Sequence, residues 1–227
     1  MNTRRLALAA AGILIALGAG CRKQNNGLPF PTRDVPTTKD ENGWPLYEQK
    51  ADGFAVALPP EWVALELNAA TLNQALDQGI RTNTEFQALG DQIRQQVAAG
   101  MKFMGVDKTG VGSGFAVNVN VMKEPPDEGA TLQNSIDEIL GQLNGMSTIE
   151  KPIARERVTL KAGESERLRY VLAIKKPDGQ TARAVIVQYV LLVGNEVYAL
   201  TCTATADQVE HYLQTFEAIA QSIRPLK

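Results

Sequence analysis

"TARAVIVQYVLLVGNEVYALTCTATADQVEHYLQTFEAIAQSI", residues 181–223, contains the change of hydrophobic period on which the fold turns. From Thr181 to Val193 the residues are mostly Val, Ile, Leu, Ala and Tyr, apolar at odd and even positions alike. A run of that length and β-branched content reads as a strand buried on both faces. Gly194-Asn195 is a hairpin turn signal, and EVYALTCTA returns as a second strand. The period then becomes helical: Val209, Tyr212, Leu213, Phe216, Ile219, Ala220 and Ile223 make one stripe. Thr205 and Gln208 have the spacing of a capping box at its start.

The same two periods alternate through the rest of the chain. GFAVALPPEW (53–62) sets Phe54, Val56 and Leu58 on one face of a strand that Pro59-Pro60 ends. Leu72, Leu76 and Ile80, then Phe86, Leu89, Ile93 and Val97, have helical spacing, with Thr82 and Glu85 as a capping box between the two pieces. MKFMGVD (101–107) and FAVNVNVMKE (115–124) read as strands, the second with Phe115, Val117, Val119 and Val121 on one side. A helix starts near Thr131, buries Leu132, Ile136, Ile139, Leu140 and Leu143, and stops at Gly145. ARERVTL (154–160) and SERLRYVLAIKK (165–176) precede the opening stretch, joined by turns at Ala162-Gly163-Glu164 and Pro177-Asp178-Gly179-Gln180.

The order is β, α, ββ, α, ββββ, α. Tight turns make the strands antiparallel, and amphipathic helices need a sheet to cover. The expected fold class is α+β: one twisted, mostly antiparallel sheet covered by helices on both faces, an α/β/α sandwich. The strand end GFAVALPPEW, the strand NVNV and the corner YALTCTATADQVEHYLQTFEAIAQSI together resemble the PsbP-like superfamily, over about residues 50–225. That group includes photosystem II extrinsic proteins, Ran-binding Mog-like proteins and DcrB- and LpqN-type bacterial lipoproteins. The resemblance implies a protein-binding or stabilising role and supplies no catalytic residue set to carry over.

The amino terminus has a different character. MNTRR is a short cationic segment, and Leu6–Leu17 is an apolar run too short for a spanning helix, which needs about 20 residues. Together they describe a secretory signal. Leu17-Gly18-Ala19-Gly20-Cys21 resembles the lipobox of bacterial lipoproteins, although Gly18 stands where Leu is usual. That resemblance implies cleavage after Gly20 and lipidation of Cys21, with acyl chains contributing about 0.8 kcal/mol per buried CH₂. Arg22, in place of an Asp retention signal, leans towards an outer membrane. The polar segment RKQNNGLPFPTRDVPTTKDENG reads as a stiff, extended tether. The expected organisation is a signal peptide (1–20), a lipidated cysteine with flexible tether (21–43) and a PsbP-like domain (44–227).

Composition narrows function. The chain has 23 basic and 25 acidic residues; residues 1–20 carry Arg4, Arg5 and no acid, so from Cys21 onward there are 21 and 25, a net charge of −4. That balance, without a polybasic tract, argues against nucleic acid as a partner. With Cys21 acylated, Cys202 is the sole thiol and no internal disulfide is possible. His211 is the single histidine and falls off the helical stripe, so neither a metal site nor histidine-based catalysis is expected, and no cofactor. Cys202 is in phase with Tyr198, Leu200 and Ala204, as a small core residue would be. Lys108-Thr109-Gly110-Val111-Gly112-Ser113-Gly114 resembles a phosphate loop but opens a strand rather than a helix, so a hairpin turn is expected.

One charged pattern is left. Arg155, Arg157 and Lys161 alternate on one strand and Arg167 and Arg169 on the next, so a three-residue turn would gather all five cations on one face. The simpler reading is a solvated face neutralised by Glu156, Glu164 and Glu166; the sharper one is a docking patch for an acidic envelope protein. The expected function is that of a membrane-anchored, non-catalytic binding or assembly module. Carriage of a lipid or other apolar ligand is the alternative, ahead of an envelope hydrolase using Asp137 and Glu138, which as helix neighbours do not converge on one substrate.

Overall fold

The computed structural model describes residues 31–68, 70, 93–110, 116–124, 131–175, 181–193 and 196–226. In chain order the elements are β1 (Leu46–Gln49), β2 (Phe54–Ala57), β3 (Trp62–Ala64), β4 (Met101–Asp107) and β5 (Asn118–Glu124). They continue with α1 (Leu132–Gly145), β6 (Ile149–Leu160), β7 (Gly163–Lys175) and β8 (Thr181–Val193). The chain closes with β9 (Glu196–Thr205), α2 (Val209–Ser222) and β10 (Arg224–Pro225). The signal and lipobox, most of the first expected helix and the glycines after Gly110 lie outside the described residues.

The fold is α+β, but with two antiparallel sheets where one was expected. Seven strands run in the order β3-β4-β5-β9-β8-β7-β6, and β1-β2-β10 form a separate sheet of three. The division falls at Pro59-Pro60: neither proline has an N–H to donate, so the ladder of β2 cannot continue through them. The chain joins the large sheet only at Trp62, opposite Asp107.

The opening stretch behaves as its pattern requires. β8 and β9 pair from Ala184↔Thr205 to Val193↔Glu196, and every residue from Ala184 to Leu191 is buried. The capping box does not form. Thr205 Oγ1 donates to the Gln208 side chain at 2.7 Å, no side chain caps the helix backbone, and α2 begins at Val209. α1 begins where expected, and Thr131 caps it: its Oγ1 accepts the Asn134 N–H at 3.2 Å. Its far end is held by Lys151 Nζ, which donates to the Leu143 carbonyl at 2.8 Å.

Two large apolar clusters form the core. Ile136, Ile139 and Leu143 of α1 pack with Met104, Leu168, Ile186 and Val190. Phe216, Ile219 and Ala220 of α2 pack with Phe103, Val119, Val187, Leu200 and Cys202. On the same face as Met122, Ile186, Val190 and Ala199 of the first cluster sit buried polar residues. Asn118, Asn120, Gln188, Thr201 and Thr203 are all 0 % exposed. Register sets Asn118 opposite Thr203, and Asn120 opposite Thr201. On the other side of β9, Gln188 Nε2 donates to Thr201 Oγ1 at 3.0 Å. Every residue of β5 from Asn118 to Met122 is buried, so its polar residues must find partners inside.

The expected tether is docked from residue 31. Arg33 N–H bonds to the Ala64 carbonyl at 2.8 Å and Glu66 N–H to that of Pro31 at 2.9 Å. Asp40 Oδ1 accepts from the N–H groups of Asn42 and Trp44, at 2.9 and 2.8 Å. That is an Asx-type turn, and it fixes the corner leading into β1.

Candidate functional site

The charged hairpin β6–β7 carries the five cations singled out by sequence, and its register decides which of them meet. The turn is Lys161-Ala162, two residues rather than three, with Leu160 opposite Gly163. Gly163 has φ +138°, a conformation that L side chains rarely adopt. Arg155 therefore stands opposite Leu168 and Arg157 opposite Glu166, whereas Arg167 faces Glu156 and Arg169 faces Ala154. Directly opposed residues share a face, so Arg155 and Arg157 lie on one side of the sheet and Arg167 and Arg169 on the other. A single patch does not form: a shift of one residue in a ladder of period two reverses every side chain.

Each side brings its own acids. Arg155 Nε donates to Glu166 Oε1 at 2.5 Å, its Nη1 lies 3.5 Å from Asp137 Oδ1, and its Nη2 donates to Gln133. The hydrogen bond to Glu166 is the main cause holding the Arg155 pKa above its usual value. Arg157 has the loosest contact, 4.0 Å from Glu166, and its side chain is 67 % exposed. Across the sheet Arg167 bonds to Glu156 and, at 3.3 Å, to Glu217 of α2, which also accepts from the Tyr189 hydroxyl at 2.8 Å. Burial opposes the charge on Arg167, and its bonds to Glu156 and Tyr189 outweigh that. Arg169 pairs with Glu210 at 2.5 Å, and Lys161 pairs with Glu41 of the docked segment. Glu210, Glu217 and Glu41 are distant in sequence, which is why their role escaped a local reading.

Asp137 is committed to Arg155 and to Gln133 Nε2 at 2.7 Å, so it is no half of a carboxylate dyad. His211 is exposed and meets Tyr212 edge to face. Cys202 is fully buried; burial, with Glu217 nearby, pushes its thiol pKa well up, so it stays protonated and inert. Among the described residues no group of three His, Cys, Asp or Glu could hold a metal ion, and no helix is long and apolar enough to cross a membrane.

Two further features were not foreseen. Asp107, 2 % exposed, accepts from both the backbone and hydroxyl of Thr109 at 2.8 Å and from the Tyr212 hydroxyl. Burial first and Asp107 second push the Tyr212 pKa up to about 12. Separately, a half-open cleft of about 310 Å³ lies between the docked segment and β4. Leu65, Leu67, Val97 and Met101 give it apolar walls, and Arg33, Lys102, Asp52 and Glu66 a charged rim.

No protein-family model and no curated protein sequence matches the chain. Solved structures similar to it include LpqN of Mycobacterium tuberculosis, described as involved in cell envelope biogenesis. The two are 10 % identical with a TM-score of 0.49, over 80 % of this chain and 90 % of that one. Cyanobacterial PsbP from Synechocystis sp. PCC 6803 is 10 % identical with a TM-score of 0.49, over 92 % and 99 %. The Saccharomyces cerevisiae Ran-binding protein Mog1p is 10 % identical with a TM-score of 0.45, over 84 % and 97 %. At these scores none of the likenesses bears on what this chain does.

Proposed function

We propose that this chain is a lipid-anchored extracytoplasmic lipoprotein whose domain acts, without catalysis, as a protein-binding or assembly module of the cell envelope. The observation that carries this reading is the abrupt end of the apolar segment at Cys21, only ten residues before Pro31, which is hydrogen-bonded to the domain. At about 3.5 Å per residue the intervening chain spans at most about 35 Å. The domain is therefore held close to the bilayer, and confinement raises the effective concentration of any neighbour on the same membrane.

The domain suits such a role as a broad sheet whose strand β8 contributes to both apolar clusters. Ile186 and Val190 pack in the cluster with α1, and Val187 and Tyr189 in the cluster with α2, while successive strand residues point to opposite sides. Arg155 and Arg157 on one side of the hairpin, Arg167 and Arg169 on the other, and Lys161 at its turn are the surface charges offered to a partner. Intact-mass measurement in the native host tests the anchor. The mature chain should begin at Cys21 and carry fatty-acid mass that Cys21→Ser abolishes; a soluble, unacylated product would reject it. Cross-linking in intact membranes should then retrieve an envelope protein, less of it with Arg167→Ser and Arg169→Ser.

A second reading, carriage of a lipid or other apolar ligand, has a candidate cavity in the cleft that Leu65, Leu67, Val97 and Met101 line together with Arg33, Gln49, Asp52, Glu66, Asn68 and Lys102. Native mass spectrometry of the purified protein decides it by the presence or absence of a bound small molecule.

A further inference from the structure

The large sheet has unequal edges. At one end is β3, only three residues long, extended by an isolated bridge from Leu65 to Thr32. At the other is β6, twelve residues long, with β7 as its single strand neighbour among the described residues. A long open edge exposes a row of backbone donors and acceptors.

Side-chain contacts show which groups of β6 face outward. The Gln221 amide of α2 donates from Nε2 to the Thr159 carbonyl at 3.2 Å and accepts the Lys161 N–H at Oε1, at 3.1 Å. This side chain occupies the place a neighbouring strand's peptide would take. In an antiparallel ladder both backbone groups of one residue point the same way and alternate residues share a direction. The register runs without a shift from Ala154 to Leu160. Arg155 and Arg157 therefore also turn their N–H and C=O away from β7, and the stretch 154–157 is exposed.

A second copy of this chain is a poor occupant. Antiparallel self-pairing through these open residues opposes Arg155 to Arg157, or each arginine to itself, and like charges directly opposed destabilise a ladder. An acidic strand meets the opposite situation. Arg157 is 67 % exposed and only 4.0 Å from a carboxylate that Arg155 already engages at 2.5 Å.

We infer that β6 is a strand-addition site for an extended acidic segment of a partner protein, its acidic residues alternating so that one stands across from Arg157. Backbone bonds to Arg155 and Arg157 provide the attachment, and charge selects the sequence. Gln221 closes the turn end of the edge and fixes where the added strand stops. This rests on the protein-binding reading above and names its surface.

The probe is a short capped peptide alternating Glu and Val, compared with one alternating Lys and Val. The acidic peptide should bind at least tenfold more tightly and slow hydrogen exchange at the Arg155 and Arg157 amides. Arg157→Pro removes an outward N–H while leaving the bonds to β7, and should weaken binding about tenfold with unchanged thermal unfolding. Should that variant fail to fold, Arg157→Glu decides: the preference should reverse towards the basic peptide. Gln221→Ala lengthens the open edge and should tighten binding. Equal binding of both peptides, or acidic binding indifferent to Arg157, overturns the inference. If membrane cross-linking retrieves a partner from Arg157→Glu protein as well as from wild type, this edge is rejected and the recruitment reading stands. If the peptide binds at the edge and Cys21 carries no lipid, the reverse holds.

Discussion

Glu166 and Arg155 lie on adjacent strands without being opposed in register, yet the carboxylate, almost wholly buried, accepts from the guanidinium at 2.5 Å. The diagonal contact ties the edge strand to β7 and, through Asp137 and Gln133, to helix α1. Removing the acid alone leaves Arg155 without its strongest partner. Glu166→Gln should cost about 1.5–3 kcal/mol in urea unfolding, the range for hydrogen bonds to charged groups. Adding Arg155→Gln should cost less than the sum of the single changes; strict additivity would show that the pair does not couple.

Gly105 is a packing constraint rather than a turn. A Cβ there would approach both terminal methyls of Leu58 to 2.8 Å and Val119 Cγ1 to 3.1 Å. Leu58 is itself 0 % exposed and has little room to retreat. Gly105→Ala should destabilise by about 1–3 kcal/mol, as overpacking does, and Gly105→Ala with Leu58→Ala should lose less than the two changes separately. Thermal unfolding of the three proteins measures both effects.

Tyr212 predicts an alkaline limb in stability. Its folded pKa, about 12, exceeds the ordinary 10.0. Between those values the unfolded chain loses the phenolic proton while the folded chain keeps it, so stability falls as pH rises. Below 10 the contribution is complete. Tyr212→Phe should reduce the slope of unfolding free energy against pH in that window, leaving the other buried tyrosines to supply the rest. An unchanged slope would mean that neither burial nor the bond to Asp107 raises the Tyr212 pKa in solution.

Asp40 tests how firmly the membrane-proximal segment is docked. Asp40→Ala removes an acceptor for two backbone N–H groups, at 2.9 and 2.8 Å, and should cost about 1 kcal/mol. Proteolytic cleavage within residues 31–43 should accelerate several-fold while the rest of the domain resists. Cleavage at the wild-type rate would contradict the docked arrangement.

Sequence alone was enough for the α+β class, the β8–β9 hairpin, the helical stripes of α1 and α2, the start of α1 near Thr131 and the buried position of Cys202. These follow from periodicity and turn chemistry, which act over a few neighbouring residues. Gly163 was noticed as a turn residue, but whether two or three residues close the β6–β7 turn is decided by the fit of the strands. On that choice hangs the face of each of the four arginines. The pairing of Arg169 with Glu210, Arg167 with Glu217 and Lys161 with Glu41 joins residues far apart in the chain, and Gln221 meets the β6 edge only because α2 packs beside it. The same holds for Asn118 and Asn120, whose burial opposite Thr203 and Thr201 depends on the pairing of β5 with β9. Local pattern fixes which elements form, because each depends on short-range backbone and side-chain preferences. Register and partnership fall to the tertiary structure, because burial and charge pairing are satisfied between elements, not within them.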